Sequence, residues 1–347
     1  MKNASTLSAF SNGKTPSNAR GEVPKWLRIL QEAIRDPVEL GQALDLSQEQ
    51  IEAAKRASQL FPLLVPSGYL ARIQPRNPAD PLLRQVLPLQ EEFYASSEFT
   101  EDPLQEQSQQ KQSGYLKKYA ARALVITTGA CAIHCRYCFR RHFPYAEGPR
   151  KKEAWKSVLQ AIHADHSLRE IILSGGDPLT RQDSWLSWFV KELEQAKHLQ
   201  LLRIHTRLPI MIPERVDDQL LQWLSGTRFQ VHFVLHSNHS QELDDSVADA
   251  IQKLKSTGAT LLNQAVLLRG VNDTVEALEG LSWRLIELGV MPYYLHQLDR
   301  VSGASHFEVP IEQGKALIQE LRTRVPGYAV PRYVQEVPYE KNKVVIG

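Results

Sequence analysis

From residue 121 onward, short runs of apolar, β-type residues alternate with longer segments whose apolar residues recur at helical spacing. The short runs predict strands at 123–127, 170–173, 201–205, 229–235, 260–268 and 291–298. The longer segments predict helices near 152–164, 184–197, 214–224, 241–256, 274–288 and 311–324. Strands that alternate with helices form parallel sheets, and right-handed crossovers curl such a sheet toward a barrel. We therefore expect an α/β fold with a partial, open (β/α)6 barrel over residues 114–325.

The region before the barrel has a helical pattern instead. Ser47 and Gln50 have the form of a capping box, and Pro62 ends a run of apolar residues at helical spacing. Residues 100–113 are acidic and rich in Gln, which predicts a loop or linker. The sequence thus divides into an N-terminal helical region with its linker (23–113), the barrel, and a C-terminal segment (326–347).

Residues 1–22 are predicted to be a disordered tail, because residues 1–20 are rich in Ser and Asn and contain neither an acid nor an apolar run. The formal net charge of the chain is only +2, with bases and acids interleaved, so we expect no nucleic acid and no anionic membrane as a partner. No stretch approaches the roughly 20 apolar residues of a membrane helix. The missing export signal and the unpaired cysteines predict a cytoplasmic protein.

All three cysteines of the chain lie in one short window, at Cys131, Cys135 and Cys138. Thiolates are soft ligands that favour iron–sulfur clusters, zinc or copper(I), and a four-iron cubane ordinarily takes four of them. With three cysteines, one iron keeps an open position that can bind a small chelating molecule.

Three other interpretations of this window remain open. The thiols could bind zinc with His134 or His142 as the fourth ligand. Cys135 and Cys138 could form a redox pair, although that leaves Cys131 unexplained. All three could be inert buried thiols.

Further polar motifs follow the predicted strands at their carboxyl ends, which is where the active sites of such sheets lie. They are Ser174-Gly175-Gly176-Asp177, His205-Thr206-Arg207, His236-Ser237-Asn238-His239 and Asp299, whereas Asn263 and Gln264 lie within the predicted strand 260–268. The glycine pair alone could be a tight turn. The spacing of His232, His236 and His239 along a strand favours structural or cofactor contacts over a metal triad.

Two basic positions carry possible chemistry. Arg140 and Arg141 follow the last cysteine, where guanidinium groups could hold a substrate carboxylate in a two-pronged contact. Lys343 lies four residues from the end of the sequence and could be a solvated charge. A lysine held in a pocket could instead form a Schiff base with pyridoxal phosphate.

Several motifs together resemble the lysine 2,3-aminomutases, and the match runs from about residue 25 to the end. They are CFRRHFPY at 138–145, SGGDPL at 174–179, RIHTRLP at 203–209, LNQAVLLRGVND at 262–273, MPYYLH at 291–296 and GYAVPR at 327–332. These enzymes have a TIM-like radical S-adenosylmethionine barrel and also bind pyridoxal phosphate. The chain is most similar to the short branch that makes (R)-β-lysine for translation elongation factor P, and its ending soon after Lys343 favours that branch.

The resemblance implies roles for individual residues. Cys131, Cys135 and Cys138 would hold a [4Fe-4S] cluster, and Ser174, Gly175, Gly176 and Asp177 would bind S-adenosylmethionine. Arg140 would hold the carboxylate of lysine, whereas Asp299 with Glu336 would hold its distal ammonium. Lys343 would carry pyridoxal phosphate, with Lys341 as its competitor.

The same resemblance implies partners: L-lysine, an external reductant, and a functional link to elongation factor P and the ligase that modifies it. An aminomutase for free lysine, arginine or glutamate is the alternative within this class, and two acids would repel the side chain of glutamate. From another class, a non-catalytic metal-binding module that docks onto translation factors stays open.

Overall fold

The computed structural model describes residues 23–347, without the side chains of Gln109 and Lys111. The predicted disordered tail lies outside these residues. In the described part of the chain, no helix has the length and apolar character needed to cross a membrane.

Five short helices form the N-terminal region: α1 (Lys25–Gln31), α2 (Pro37–Ala43), α3 (Gln48–Ala57), α4 (Ser67–Leu70) and α5 (Pro81–Arg84). The predicted capping box is present, because Ser47 Oγ accepts from the Gln50 amide at 3.3 Å and Gln50 Oε1 accepts from the Ser47 amide at 2.9 Å. The helical stretch is nevertheless divided, since Asp36 caps a new helix that opens with Pro37.

Ten strands form a single sheet in chain order. They are β1 (Gln110–Gln112), β2 (Tyr115–Tyr119), β3 (Arg122–Thr128), β4 (Glu170–Gly175), β5 (Leu201–Thr206), β6 (Gln230–His236), β7 (Thr260–Val266), β8 (Met291–His296), β9 (Arg332–Gln335) and β10 (Val344–Val345). Strands β3 to β9 are parallel, whereas antiparallel pairs extend the sheet at both ends. Across the described residues β1 and β10 do not pair, so the barrel is open. The predicted fold class is confirmed.

Helices connect the parallel strands and cover their outer face. They are α6 (Lys156–Ala164), α7 (Asp183–Glu194), α8 (Leu208–Met211), α9 (Asp218–Gly226), α10 (Asp245–Ser256), α11 (Val275–Glu287) and α12 (Ile311–Arg324). Strand β5 illustrates the two faces: Leu202 and Ile204 are fully buried in the core, whereas Arg203 and His205 are only partly buried on the inner face. The inner face of the sheet can therefore carry polar chemistry.

The sequence pattern missed the four strands β1, β2, β9 and β10, and the last three matter for the site. Strand β2 contains two lysines, and β9 has only four residues. Strand β9 adds a seventh parallel strand, and its antiparallel pairing with β10 matches Gln335 with Val344. This hairpin brings Glu336 and Lys343, the next residue on each side, back to the edge of the barrel.

Candidate active site

The three cysteines lie in a segment after β3, residues 129–141, which we call the cysteine loop. The N-terminal region holds this loop from outside the barrel. The amide of Arg136 donates to the Gln85 carbonyl at 2.9 Å, and the fully buried Arg136 guanidinium contacts both carboxylate oxygens of Glu92 at 2.7 and 2.6 Å. Removing one partner of a buried ion pair is costly, so these contacts fix the position of the loop.

The thiols are buried close to one another and to the Arg140 guanidinium. Burial, together with the neighbouring thiols, raises the pKa of Cys131 and raises that of Cys138 to about 11, while Arg140 opposes both changes. No three His, Cys, Asp or Glu side chains in the described residues surround one ion position. A cubane differs from a single ion because each of its cysteines binds a different iron.

The histidines of the zinc alternative have other partners. His134 Nδ1 lies 2.8 Å from the Pro62 carbonyl oxygen, and His142 Nε2 lies 3.3 Å from that of Ser302. Burial holds the pKa of His134 down at about 4. The contacts of these two histidines therefore give no support to zinc binding by His134 or His142.

The glycine pair at the end of β4 packs directly against the cysteine loop. The amide of Gly176 donates to the Thr128 carbonyl at 2.7 Å. A Cβ added at Gly175 would collide with the carbonyl oxygen of Thr128, and one at Gly176 with that of Ala130. Gly175 also has a φ of +136°, which side chains rarely adopt. The pair thus lets the chain's own backbone approach the loop that carries the cysteines.

Asp177 braces the ends of two strands. Its carboxylate accepts from the Thr206 hydroxyl at 2.7 Å and from the amides of Leu179, Arg207 and Leu208 at 3.0, 2.7 and 2.9 Å. Burial raises its pKa, whereas these donors lower it. The carboxylate therefore ties the end of β4 to the end of β5, a role that the motif alone did not reveal.

Arg140 lies between the cysteine loop and the barrel and already holds a carboxylate. Its Nε and Nη2 donate to the two carboxylate oxygens of Glu106 at 2.6 and 2.7 Å, and its Nη1 donates to Ser174 Oγ at 3.0 Å. Glu106 belongs to the predicted linker, and nothing in that acidic stretch distinguished it. The fork geometry is the one in which guanidinium groups recognise carboxylates.

Lys343 and Glu336 face each other at the barrel edge. The Glu336 carboxylate accepts from the ammonium groups of Lys118 and Lys343 and from the Tyr119 hydroxyl. Although burial raises the pKa of Glu336, the two ammonium groups and the hydroxyl hold it at about 2. Lys341 is exposed in the turn of the hairpin, so the structure separates it from Lys343. Lys118 and Tyr119 were not recognised in the sequence, because they lie on the unpredicted strand β2.

Asp299 follows β8 and lies near these groups. Burial, with repulsion from Glu336 and Glu106, raises its pKa to about 7 although Lys343 and Lys118 oppose the shift. The causes of this shift are burial and neighbouring charges. Within residues 23–347 no donor is hydrogen-bonded to the Asp299 carboxylate. A half-buried acid without a donor is available to a cationic ligand.

Other polar groups on the inner face lack partners within residues 23–347. They include His205 Nε2, His296 Nε2 and Arg122 Nε. Burial lowers the pKa of His205 and holds that of His296 at about 3, and the charge of Lys343 adds to both effects. Because buried polar groups in native proteins are nearly always hydrogen-bonded, these atoms fit a polar ligand inside the barrel.

Comparisons with known proteins show the family of the chain. A family model described as the Radical SAM superfamily matches residues 125–279. The chain is 44% identical to an L-lysine 2,3-aminomutase of Haemophilus influenzae, covering 93% of this chain and 96% of that protein. It is 45% identical to an L-lysine 2,3-aminomutase of Escherichia coli, covering 92% and 93%. Among solved structures, Streptococcus suis SuiB aligns with a TM-score of 0.47 at 13% identity, over 63% of this chain and 50% of that one. The resemblance in the motifs is thereby confirmed, and the chain belongs to the L-lysine 2,3-aminomutase family as an isomerase of the radical S-adenosylmethionine type, a class that uses a [4Fe-4S] cluster and S-adenosylmethionine.

Proposed function

We propose that the protein converts L-lysine to (R)-β-lysine with a [4Fe-4S] cluster, S-adenosylmethionine and pyridoxal phosphate. The distribution of charge supports this proposal: the Arg140 guanidinium holds Glu106, and the charges of Glu106 and Lys343 both act on the pKa of Asp299. A free α-amino acid with a distal ammonium complements these groups. The relatives named above are L-lysine 2,3-aminomutases by name.

At the carboxylate end, Arg140 would bind the substrate. The carboxylate of Glu106 is a stand-in for that of lysine, since it uses the Nε and Nη2 donors in the two-pronged geometry. The third arm of the guanidinium donates to Ser174 Oγ and fixes the plane of the fork. Substrate would displace Glu106 and take over its two hydrogen bonds.

At the other end, Asp299 would bind the distal ammonium of lysine. Its carboxylate has no donor of its own in the described residues, whereas Glu336 already has three. Asp299 is therefore the main recognition group, and Glu336 acts chiefly by holding Lys343 and Lys118. An ammonium beside Asp299 would favour its ionised form.

Lys343 would hold pyridoxal phosphate, and Lys118 and Arg122 are the cations available for its phosphate group. The Nε of Arg122 has no partner in the described chain, and both cations flank the ring of Tyr119. When bound, this cofactor delocalises the unpaired electron while nitrogen moves between carbons. Glu336 keeps the Lys343 amine oriented toward the inside of the barrel.

Cys131, Cys135 and Cys138 would hold the cluster, with Ser174, Gly175, Gly176 and Asp177 shaping the adjoining site for S-adenosylmethionine. When bound, the cluster and S-adenosylmethionine would supply the radical that removes a hydrogen atom from the substrate. The N-terminal region shields the loop, since its Glu92 is nearly fully buried against Arg136 of the loop. Exclusion of water protects a radical from side reactions.

The biological role that we propose is supply of (R)-β-lysine for elongation factor P and its modifying ligase, in the reducing cytoplasm. The motifs at 138–145 and 262–273 resemble the lysine 2,3-aminomutases as a family, and the overall similarity of the sequence to the short, factor-modifying branch supports this role. The three free thiols fit a reducing compartment.

The test is an anaerobic reaction. The protein is reconstituted with iron, sulfide and pyridoxal phosphate, then given reductant, S-adenosylmethionine and an equimolar mixture of L-lysine and L-arginine, and products are separated by chiral chromatography. We expect (R)-β-lysine in excess over β-arginine. Cleavage of S-adenosylmethionine without β-lysine would overturn the substrate assignment, and the (S) enantiomer would overturn the link to elongation factor P.

A further inference from the structure

A guanidinium group lies directly against the sulfur of one cysteine in the loop. Arg207 follows β5, and its side chain is 8% exposed. Its Nη1 donates to Cys135 Sγ at 2.7 Å and lies 2.9 Å from the Tyr137 hydroxyl. In the described residues, Cys135 is the only one of the three cysteines whose sulfur accepts a hydrogen bond from a side chain.

The opposite arm of the guanidinium is held just as firmly. Arg207 Nη2 donates to Glu242 Oε2 at 2.9 Å and to Gln85 Oε1 at 2.8 Å. Glu242 is fully buried and accepts from the amides of Asn238 and His239 at 2.9 and 3.1 Å. The Arg207 side chain is thus bridged between a sulfur and a buried carboxylate.

The backbone fixes the same residue from a third direction. The Arg207 amide donates to Asp177 Oδ2 at 2.7 Å. Asp177, which ties β4 to β5, therefore also fixes the backbone position of Arg207. A purely structural ion pair would need only Glu242. The arm toward Cys135 adds a charge-assisted donor to the sulfur of that residue.

We propose that Arg207 is a positioning residue that raises the reduction potential of the iron–sulfur cluster by donating to the Cys135 thiolate, and that Glu242 moderates this effect. Reduction adds one electron from a low-potential donor and makes the cluster more negative, so a nearby cation and a hydrogen bond to a ligand sulfur favour the reduced form. Hydrogen bonds to the sulfurs and net charge are known determinants of cluster potentials. The inference rests on the cluster assignment in the proposed function but not on lysine as substrate.

The assignment also explains two sequence motifs that the reaction itself leaves unused. Arg207 ends the motif that follows β5, and Asn238 belongs to the motif that follows β6. Asn238 Nδ2 donates to Tyr137 OH at 2.7 Å and to Gln85 Oε1 at 3.0 Å, which are two of the acceptors that Arg207 contacts. Both motifs therefore belong to one polar network behind Cys135.

The experiment is an anaerobic redox titration of the reconstituted cluster, followed by electron paramagnetic resonance, without lysine or pyridoxal phosphate. We expect Arg207→Gln to lower the ratio of reduced to oxidised cluster at a fixed potential about tenfold, a shift of about 59 mV for one electron. Arg207→Lys should recover part of the shift. Glu242→Gln should move the potential in the opposite direction.

Arg203→Gln is the matched control, because Arg203 lies on the same strand and pairs with Glu170 away from the cysteine loop. Its potential should equal that of the wild type. An unchanged potential in Arg207→Gln with full iron and sulfide content would overturn the proposal. If Arg207→Gln binds no cluster, Glu242→Gln decides: a raised potential supports the proposal and an unchanged one overturns it. Because substrate is absent, failure here is distinct from failure of the lysine assignment.

Discussion

Recognition of the distal ammonium should depend steeply on pH, because Asp299 titrates near neutral pH. Its pKa is about 7, raised by burial and by Glu336 and Glu106 against the opposing charges of Lys343 and Lys118. The carboxyl is ionised above this pH and neutral below it. The distal ammonium of lysine, with an ordinary pKa of about 10.4, stays charged throughout.

The magnitude follows from the ionised fraction of Asp299. With a pKa of about 7, that fraction falls from about 0.9 at pH 8 to about 0.1 at pH 6. If lysine binds only the ionised form, its dissociation constant rises about tenfold as the pH falls through this interval, which corresponds to about 1.4 kcal/mol. Affinity is therefore lost on the acid side.

The assay is calorimetric titration of L-lysine into the anaerobic protein loaded with pyridoxal phosphate, without reductant so that no turnover occurs. L-2-aminohexanoate, which has the same chain without the ammonium, is the matched ligand and should lack the pH step. Asp299→Asn should remove the step for lysine and weaken binding at pH 8. Equal affinity for lysine at both pH values, or an equal loss for both ligands, would refute the assignment of Asp299.

Three further predictions concern single substitutions. Lys343→Ala should abolish the absorbance of pyridoxal phosphate bound to a lysine side chain of the protein and leave the absorbance of the cluster intact. Lys341→Ala is the control and should keep both absorbances. Loss of the pyridoxal phosphate absorbance in Lys341→Ala, with retention in Lys343→Ala, would contradict the assignment of Lys343. Glu106→Gln should lower the KM for lysine about tenfold, because the carboxylate that competes with substrate for Arg140 is removed. An unchanged or raised KM would show that the substrate carboxylate binds elsewhere. Gly176→Ala should destabilise the fold by about 1–3 kcal/mol in urea denaturation because its Cβ enters the cysteine loop. Gly226→Ala, whose Cβ meets nothing within 4 Å, should change stability by less than half as much.

The sequence predicted the barrel well because its strands are apolar and its helices are amphipathic. Strand β4 is buried along its whole length, and a run of that kind is hard to mistake. Strand β2 could not be predicted in the same way, because Lys117 and Lys118 interrupt its apolar pattern. Likewise, the hairpin of β9 and β10 depends on pairing across the intervening turn rather than on local pattern.

The site was predictable where a motif follows a strand and unpredictable where distant segments meet. Asp177 and Arg207 were noticed because parallel strands place their carboxyl ends at one edge. Asp177 braces the ends of two strands, and Arg207 contacts Cys135. Both roles depend on tertiary contacts that the spacing of residues in the sequence does not reveal. Glu106 is the clearest omission, because its importance arises only when the linker folds back onto Arg140.

Radical isomerisation of lysine can be tested directly with L-lysine that carries deuterium in place of both hydrogens of the β-carbon. After anaerobic turnover with S-adenosylmethionine and reductant, mass spectrometry locates the label. We expect deuterium in the 5′-deoxyadenosyl group and in β-lysine at the carbon that lost nitrogen. β-Lysine formed without any label in the 5′-deoxyadenosyl group would contradict hydrogen transfer through that group, and recovery of unchanged lysine alone would contradict the proposed activity.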